Sequence, residues 1–519
     1  MLQRAHTPTY FFLHNKPTQG KLEKTQTHTA HGAPMSLRTA LVFLLAIPVA
    51  VRVEAQPTPA DRTQIIKLVD ANAPEYKQVS KEIWGYAELG YHENKSSTLL
   101  QDQLKKAGFT VQAGVADEPT GFIASYGSGK PVIAILGEFD ALPGLSQQAV
   151  ATREPVVNGA PGHGCGHNLL GSGAALAAVA TKDFMAEHHI AGTLRYYGTP
   201  AEEGGSGKIY MVRAGLFKDV DVVLHWHPAD RNAVNNGGAL AVTSARFTFH
   251  GVAAHAAMAP DRGRSALDGV MLMGNGIEFL REHVPASTRI HYVITKGGVA
   301  PNVVPDLAEL EIMARNPYNE TLDNIWARIV KIANGAAMMT ETTVEIRNIG
   351  SDANIIPNDA LAPVAQKNLE LVGGYKMDAS QIEFATNLQK TLPPGGALSL
   401  DQTDVILPLR PYDPNAPSAS TDVGDVSWNV PTIGFGAATF VPGVAAHTWQ
   451  AAASAGTTIG QDGMVIASKA LALTAVDLFM TPSLVAAAHA DFQKQLQGKT
   501  YESAIPPTQK PLIGYRDNN

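Results

Sequence analysis

The sequence has a single cysteine, Cys165, among 519 residues. An internal disulfide is therefore excluded, and this thiol must be free, a metal ligand or a nucleophile. Charged residues make up only 17%, and 40 Lys and Arg face 47 Asp and Glu without forming basic runs. Binding of nucleic acid through a basic surface is therefore not expected. The apolar fraction of 45% excludes a disordered chain, and the length exceeds the roughly 250–300 residues that one core supports.

Long apolar runs are also scarce, and the clearest one lies near the start of the chain. Residues 39–51 are apolar almost without interruption, follow a basic residue and precede a small-residue cleavage site at 53–55. This pattern is typical of a secretory signal peptide that begins near Met35, and the run is too short to span a bilayer. We expect the mature chain to start near Gln56 and to be secreted or periplasmic. A retained anchor is the alternative. We expect that no other stretch is long and apolar enough to be a transmembrane helix, and that the chain is not bound to a membrane after cleavage.

The apolar spacing over most of the chain predicts alternating helices and strands. Residues 132–136 form a continuous apolar run of the buried-strand kind, 169–184 have a helical pattern, and 193–197 and 220–224 are further strands. Such alternation favours an α/β sheet that is covered by helices on both faces.

A block near the middle of the chain has a different pattern. Its order is strand, helix, strand, strand, helix, strand, which is typical of a small α+β domain of the ferredoxin-like kind. Because the α/β pattern resumes after it, we predict that this domain is inserted into the first. The predicted divisions are an N-terminal extension plus signal peptide at 1–55, the first segment of the catalytic domain at 56–242, the inserted domain at 243–353, the second segment of the catalytic domain at 354–490 and a C-terminal tail at 491–519.

Groups of potential metal ligands follow the predicted strands. They are Glu138 to Asp140, His163 to Asn168, Glu202 with Glu203, His225 with His227, and His447 in a later glycine-flanked loop. In open α/β sheets, ligands bind beyond the carboxyl ends of strands. Thiolate, imidazole and carboxylate together suit zinc-like ions, and of two adjacent glutamates one can bind metal while the other accepts a proton. Each group alone could be an ordinary loop, helix start or strand, but their conjunction favours a catalytic metal site.

These motifs resemble the dizinc aminoacylase and carboxypeptidase superfamily, and within it the amidohydrolases similar to p-aminobenzoyl-glutamate hydrolase. The resemblance covers roughly residues 61–485, in order along the chain. The matching segments are GEFDALPG at 137–144, GCGHN at 164–168, TPAEEGGSGK at 199–208, HWHP at 225–228, GVAAHAA at 251–257, GGVAPNVVP at 297–305 and STDVGD at 420–425. It implies an α/β zinc-peptidase-like catalytic domain whose inserted α+β ferredoxin-like domain is a lid and dimerisation domain.

The resemblance implies two divalent metal ions, with zinc favoured over manganese or cobalt. The ligands that it implies are Cys165, His167, Glu203, His227 and His447. Many members of this superfamily have His or Asp where this chain has Glu138, so the full ligand set of the second ion stays open. His163 or His225 could take the place of one of these ligands, but we expect both to contact the ligands and not the metal ions.

The resemblance also implies the residues that act on the substrate. Glu202 would be the general base that takes a proton from the attacking water, and Asp140 would orient a ligand from behind. His255, on the inserted domain, would reach the active site of a partner subunit in a homodimer and stabilise the oxyanion there. Asn302 and Arg315 would hold the carboxylate of a small-molecule substrate.

The implied activity is that of a metal-dependent amidohydrolase that cleaves N-acyl or N-aroyl amino acids, such as p-aminobenzoyl-glutamate or related conjugates. A dipeptidase or carboxypeptidase of the same superfamily is the first alternative. A cysteine hydrolase is the second, with Cys165 as nucleophile and His167 or His163 as base. A non-catalytic metal- or ligand-binding protein is the third, and the intact pair of glutamates disfavours it.

Overall fold

The protein is described by a computed structural model that covers residues 56–414, 416 and 418–516. The predicted extension and signal peptide, at 1–55, lie outside the described residues. The first helix begins at a capping box: the Thr58 hydroxyl accepts a hydrogen bond from the Asp61 N–H, and the Asp61 carboxylate accepts one from the Thr58 N–H.

The helices and strands are labelled in chain order. The α-helices of the described chain are α1 Pro59–Tyr86, α2 Asn94–Lys106, α3 His167–Glu187, α4 Glu202–Gly205, α5 Gly207–Arg213, α6 Ala266–Arg281, α7 Asn319–Thr340, α8 Ala362–Val372, α9 Ala379–Gln389, α10 Val423–Ser427, α11 Trp449–Ala455, α12 Thr458–Met480 and α13 Pro482–Leu496. The strands are β1 Thr110–Ala113, β2 Phe122–Ser128, β3 Val132–Glu138, β4 Gly192–Thr199, β5 Val222–Ala229, β6 Ala233–Asn235, β7 Ala241–His250, β8 Arg289–Lys296, β9 Leu307–Asn316, β10 Thr343–Asp352 and β11 Thr432–Ala438.

The larger sheet has seven strands in the order β1-β2-β4-β3-β5-β11-β6. Strand β3 runs parallel to β4 and β5, and β5 runs parallel to β11, whereas the remaining neighbours are antiparallel. The carboxyl ends of β3, β4, β5 and β11 therefore lie along one edge of the sheet.

Helices cover this sheet on both faces, as its continuous apolar strand predicts. All seven residues of β3 are buried. Ile133 and Ile135 enter a core that is formed with α1, α3 and α12, whereas Ala134 and Leu136 enter a second core that is formed with α5 and α10. Because side chains alternate along a strand, a strand between two helix layers needs apolar residues at every position.

Helix α12 corrects one expectation from the sequence. Thr458–Met480 is long and apolar enough, by length and composition, to cross a membrane. Nearly all of it is buried inside the fold, where it packs against α1, α3 and α8. A helix surrounded by other elements needs apolar residues on all sides, and this explains why a core helix has the composition of a membrane span.

The inserted domain has its own four-stranded antiparallel sheet, in the order β10-β7-β9-β8, and its own core against α6 and α7. Its element order is β7-α6-β8-β9-α7-β10, which is the ferredoxin-like order that the sequence predicts. The chain leaves the larger sheet after β6 and returns to it at β11, so the prediction of an inserted domain is confirmed. The strands of the smaller sheet run from Ala241 to Asp352, and the predicted boundaries at 243 and 353 stay a prediction.

Candidate metal centre

The parallel strands bring the candidate ligands to one edge of the larger sheet. Cys165 lies in the loop between β3 and α3, Glu202 and Glu203 follow β4, and His447 follows β11. His227 lies within β5, near its carboxyl end. Residues that are 282 positions apart in the chain (447 − 165) thus meet at one place, where open α/β sheets commonly bind ligands.

Asp140 orients two of the candidate ligands at once. Its Oδ1 lies 2.8 Å from His167 Nδ1, and its Oδ2 accepts a hydrogen bond of 2.8 Å from the Glu203 N–H. Because an ionised carboxylate only accepts, Nδ1 carries the hydrogen, and the lone pair of His167 Nε2 is left for a metal ion. Asp140 therefore lies behind His167, a candidate ligand, and its orienting role stays a prediction.

The paired glutamates lie in a strained loop. Ala201 has φ 56° and Ser206 has φ 51°, so two residues with side chains adopt the left-handed conformation on either side of the pair. The Ala201 N–H donates to Glu93 Oε1 at 2.8 Å. Such strain persists only where surrounding contacts hold it, and it is concentrated at functional sites.

Strand β5 extends further than the sequence suggests. We expected it to end at Leu224, with His225 and His227 beyond its end, but it continues to Ala229 because β11 pairs with it in parallel along 223–229. Both histidines therefore point from the same face of a strand. The ring of His225 lies so close to Gly434 of β11 that a Cβ there would come within 2.2 Å of its Nε2.

His447 closes the cluster from the loop after β11. Its N–H donates to the Gly164 carbonyl at 2.8 Å, which joins this loop to the one that carries Cys165. Its Nε2 lies 3.3 Å from Glu203 Oε1, and its side chain is 56% exposed. The cluster is thus open to solvent on this side.

The donor atoms form groups of the size that a metal ion requires. One group is Cys165, His167 and His227, and another is Cys165, Glu203 and His447; within each, the ligand atoms lie within 4.8 Å of one another. Cys165 belongs to both groups. His167 Nε2 and Glu203 Oε1 are buried and make no hydrogen bond, although they lie 3.2 Å from a Glu138 oxygen and 3.3 Å from His447 Nε2. Because buried polar atoms are normally paired, these unpaired atoms and the mixed donor set fit divalent metal ions.

The electrostatics of the cluster also favour a cation. Burial, followed by the charges of Glu203 and Glu202, raises the pKa of the Cys165 thiol well above its usual value. Burial opposes a charged His167, but Asp140 and Glu138 outweigh it and raise the pKa of His167 to about 9. Burial, together with the charges of Glu138 and Glu203, raises the pKa of Glu202 well above its usual value. The carboxylates around the cluster therefore create a negative potential that favours a cation, and bound divalent ions would supply that positive charge.

A buried ion-pair network behind the cluster was missed from the sequence. Lys208 is fully buried, and its Nζ lies 2.7 Å from Glu138 Oε1 and 2.6 Å from Asp422 Oδ1. The other oxygen of Glu138 lies 3.2 Å from His167 Nε2. Glu138, His167 and Glu202 form a third group of potential ligands. Lys208 and Asp422 belong to the motifs that carry the resemblance, but nothing in the sequence shows that their side chains are buried together.

His163 and His225 lie outside all three groups of potential ligands in the described chain. Burial lowers the pKa of His163 to about 3, and its Nε2 lies 3.0 Å from the Ile83 carbonyl. A carbonyl only accepts, so Nε2 carries the hydrogen. Burial likewise lowers the pKa of His225 to about 4. Both histidines are therefore neutral at physiological pH.

The substrate-binding residues predicted on the inserted domain lie apart from the cluster within one chain. His255 is exposed, and its Nδ1 accepts hydrogen bonds of 3.2 Å from the N–H groups of Ala257 and Met258, which leaves Nε2 as a donor. Asn302 is exposed, and its carbonyl accepts from the Ala256 N–H at 3.0 Å. Arg315 Nη2 lies 3.0 Å from Met313 Sδ, and its Nε is buried without a partner. In the described chain, no hydrogen bond or ion pair joins His255, Asn302 or Arg315 to the cluster.

Comparison with known proteins identifies relatives of the whole described fold. Residues 240–341 match a peptidase dimerisation domain of the M20 family. The chain is 41% identical over 466 residues to one of the subunits of p-aminobenzoyl-glutamate hydrolase of Escherichia coli K12, with 85% of this chain and 97% of that protein covered. It is 30% identical over 457 residues to the human Xaa-Arg dipeptidase, with 84% and 93% covered.

Solved structures show the same fold at low sequence identity. An aminobenzoyl-glutamate utilization protein from Klebsiella pneumoniae superposes with a TM-score of 0.55 at 19% identity, with 80% of this chain and 98% of that chain covered. A dinuclear metal-binding peptidase of the M20 family from Bacillus subtilis superposes with a TM-score of 0.53 at 17% identity, with 79% and 99% covered. The sequence matches extend along nearly the full length of the relatives, and the chain therefore belongs to the M20 metallopeptidase family and is a hydrolase that acts on amide bonds.

Proposed function

We propose that the protein cleaves the amide bond of N-acyl or N-aroyl amino acids, with conjugates of the p-aminobenzoyl-glutamate class as preferred substrates. The observation that carries this proposal is the different environment of the two adjacent glutamates. Glu203 belongs to the group of Cys165 and His447, and its N–H is held by Asp140. Glu202 belongs only to the group of Glu138 and His167, and its carboxylate has no hydrogen bond or ion pair within the described chain. Glu203 is thus available to bind metal, and Glu202 is available to accept a proton.

The chain's own groups account for the proton movements of amide hydrolysis. Two divalent ions, for which we propose zinc, would supply Lewis-acid activation when bound by Cys165, His167, Glu203, His227 and His447. Glu202 takes a proton from the attacking water and returns one to the nitrogen of the leaving amine, so that it is unchanged after one turnover.

We propose that the inserted domain completes the site in a homodimer. The Nε2–H of the partner's His255 would donate to the developing oxyanion, and Asn302 and Arg315 would bind the substrate carboxylate. Strand β8 supports this assembly, because it is an edge strand and carries the exposed apolar side chains of Val293 and Ile294. A mass measurement in solution tests the assembly, and a monomer at micromolar concentration would contradict it.

The test of the reaction compares the wild type with Glu202→Gln and with the exposed control Glu187→Gln. Each protein is assayed for metal content and for hydrolysis of p-aminobenzoyl-glutamate, other N-acyl amino acids and dipeptides. We expect Glu202→Gln to keep its metal and to lose about 100-fold or more in kcat, as removal of a general base does. Retained turnover in Glu202→Gln would exclude the assignment of the base, and a preference for dipeptides ending in Arg would favour a dipeptidase.

A chelator separates this mechanism from a cysteine hydrolase. Removal of metal with EDTA should abolish activity, and zinc, manganese or cobalt should restore it. A chelated enzyme that stays active and is inactivated by Cys165→Ala would instead identify Cys165 as a nucleophile. Wild-type protein that binds metal but hydrolyses no amide would favour a binding protein.

We also propose that the protein is exported, with cleavage before Gln56. The support is the pattern of a basic residue, an apolar run and small residues over 35–55. Fractionation of expressing cells followed by N-terminal sequencing tests this proposal. An uncleaved chain in the cytoplasm would contradict it.

A further inference from the structure

The C-terminal region of the described chain does not end in solvent but crosses the catalytic domain. We name residues 501–516 the C-terminal strap. Near its beginning, the Tyr501 hydroxyl donates to Asp425 Oδ1 at 2.7 Å. Ile505 is only 1% exposed and belongs to an apolar cluster with Tyr91 and Ile209. The strap therefore begins as a packed element of the domain.

Helix α5 anchors the middle of the strap through main-chain contacts. The Arg213 guanidinium donates to the carbonyls of Gln509, at 3.0 Å, and Pro507. The Tyr210 hydroxyl donates to the Lys510 carbonyl at 3.2 Å. These contacts direct the following residues toward the loop of the paired glutamates.

The strap ends on the peptide group of a candidate metal ligand. The Tyr515 hydroxyl donates to the Glu203 carbonyl at 2.9 Å, and Arg516 Nη2 donates to the same oxygen at 2.6 Å. The Tyr515 ring packs edge-to-face against Tyr91, at a centroid distance of 6.0 Å. Tyr91 in turn donates to the Gly205 carbonyl at 2.9 Å. Tyr91, Tyr515 and Arg516 thus donate hydrogen bonds to carbonyls of the loop 201–206, whereas Asp140 accepts one from the Glu203 N–H.

The loop needs such support because its conformation is intrinsically unfavourable. Glu203 has a ψ of 64°, which is not helical, and it lies between the left-handed residues Ala201 and Ser206. Asp140 fixes the N–H of Glu203, while Tyr515 and Arg516 fix its carbonyl. Hydrogen bonds on both sides of Glu203 determine the directions in which its own side chain and that of Glu202 leave the backbone.

We propose that Tyr515 and Arg516 are positioning residues for the paired glutamates, acting through the Glu203 carbonyl. The strap holds Glu203 where it can bind metal and Glu202 where it can transfer a proton. This inference rests on the roles given to Glu202 and Glu203 in the proposed function, and it adds a segment about 310 residues further along the chain to the machinery of the site.

The test uses Tyr515→Phe, Arg516→Ala and the double variant in the full chain. Tyr210→Phe is the matched control, because it also removes one tyrosine hydroxyl between strap and domain but leaves the Glu203 carbonyl untouched. Three quantities are measured: zinc affinity by competition with a chromogenic chelator, the visible spectrum of the cobalt-substituted protein, and kcat and KM. The melting temperature reports general loosening of the fold.

We expect the double variant to lose about tenfold in both zinc affinity and kcat, since two hydrogen bonds to one carbonyl are removed. The spectrum of its cobalt form should shift, and its KM should change little. Arg516→Lys should lose less zinc affinity and kcat than Arg516→Ala, because lysine can still donate to the carbonyl. The control should match the wild type in all three quantities. A double variant whose melting temperature falls while zinc affinity, spectrum and kcat stay unchanged would show that the strap only stabilises the fold, and would overturn the proposal.

The same experiment separates failure of the strap inference from failure of the proposed function. Wild-type protein that binds no metal, or activity that survives in Glu202→Gln, would refute the proposed function whatever the strap does. Wild-type protein that binds metal and needs Glu202, with strap variants that match Tyr210→Phe, would refute the strap inference alone.

Discussion

Replacing Lys208 with methionine tests how strongly the buried ion-pair network stabilises this fold. Lys208 Nζ is within 2.7 Å of both Glu138 and Asp422, and the Lys208 N–H also donates to Asp422 Oδ2 at 2.9 Å. Methionine preserves the unbranched apolar stem and removes the charge. Both carboxylates would then remain buried without their cation.

The expected loss in the free energy of unfolding follows from the cost of breaking a buried ion pair. Breaking a buried ion pair by removing one partner costs roughly 3–5 kcal/mol. Burial opposes ionisation of Glu138, but the charges of Lys208, His167 and His227 outweigh it and lower its pKa from 4.5 to about 2. Lys208 is thus the first of the charges that keep Glu138 ionised inside the fold. We therefore expect Lys208→Met to lose about 3 kcal/mol.

The sign of the pH dependence follows from the direction of that pKa. A carboxyl group whose pKa is lowered by folding stabilises the fold above its unfolded pKa, and this contribution is lost as pH falls through the folded pKa. The difference between wild type and Lys208→Met should therefore shrink as pH falls from 4.5 toward about 2, because Glu138 becomes protonated there even with Lys208 present.

Urea unfolding of chelator-treated protein measures the effect, with circular dichroism and tryptophan fluorescence as two probes of the same transition. Lys105→Met is the control, because Lys105 is 54% exposed and its contact with Asp102, at 3.2 Å, should contribute roughly 0–1 kcal/mol. The double variant Lys208→Met/Asp422→Asn should regain some of the stability, since it buries one charge fewer. A loss in Lys208→Met no larger than that in Lys105→Met would refute the reasoning.

Two further predictions concern the junction of the domains and the dimer. Burial and the charge of Asp422 raise the pKa of Asp352 from 3.8 to about 7, so ionisation of Asp352 destabilises the fold progressively as pH rises through that range. Asp352→Asn should therefore raise the melting temperature relative to wild type above pH 7 but not below pH 3.8. An equal difference in melting temperature at the two pH values would contradict this. Mixing inactive Glu202→Gln with inactive His255→Ala should restore about a quarter of wild-type activity, since mixed dimers contain one complete site. No restoration after subunit exchange would exclude a shared site.

Much of the fold could be predicted because its signals are local. The apolar run at 132–136 indicates a strand buried on both faces, and the order of elements in the inserted domain indicates a ferredoxin-like unit. The end of β5 could not be predicted in the same way. Its residues 225–229 are held in the sheet by β11, a pairing between segments about 200 residues apart, and His225 and His227 alone indicate a loop as readily as a strand.

The same distinction explains what was predicted of the site. Potential ligands occur in short motifs, so Cys165, His167 and the pair Glu202 and Glu203 could be singled out from the sequence as candidates, and only the resemblance distinguishes the two glutamates. Such motifs do not show which side chains will be buried in the folded protein. Lys208 follows a glycine-rich motif and Tyr515 lies in a segment that we expected to be a tail. The Lys208 side chain is nevertheless buried between Glu138 and Asp422, and the Tyr515 hydroxyl donates to the Glu203 carbonyl.

Asp140 shows why residue types alone do not define this centre. One of its oxygens accepts from His167 and the other from the Glu203 N–H, so the site requires a group with two acceptors and no donor. Asparagine has nearly the same shape but would direct an NH₂ group at one of these donors, and it would misplace either a histidine ligand or the glutamate pair. Asp140 holds the N–H of Glu203 and the strap holds its carbonyl, so the geometry of the candidate metal centre depends on residues that lie outside the groups of potential ligands.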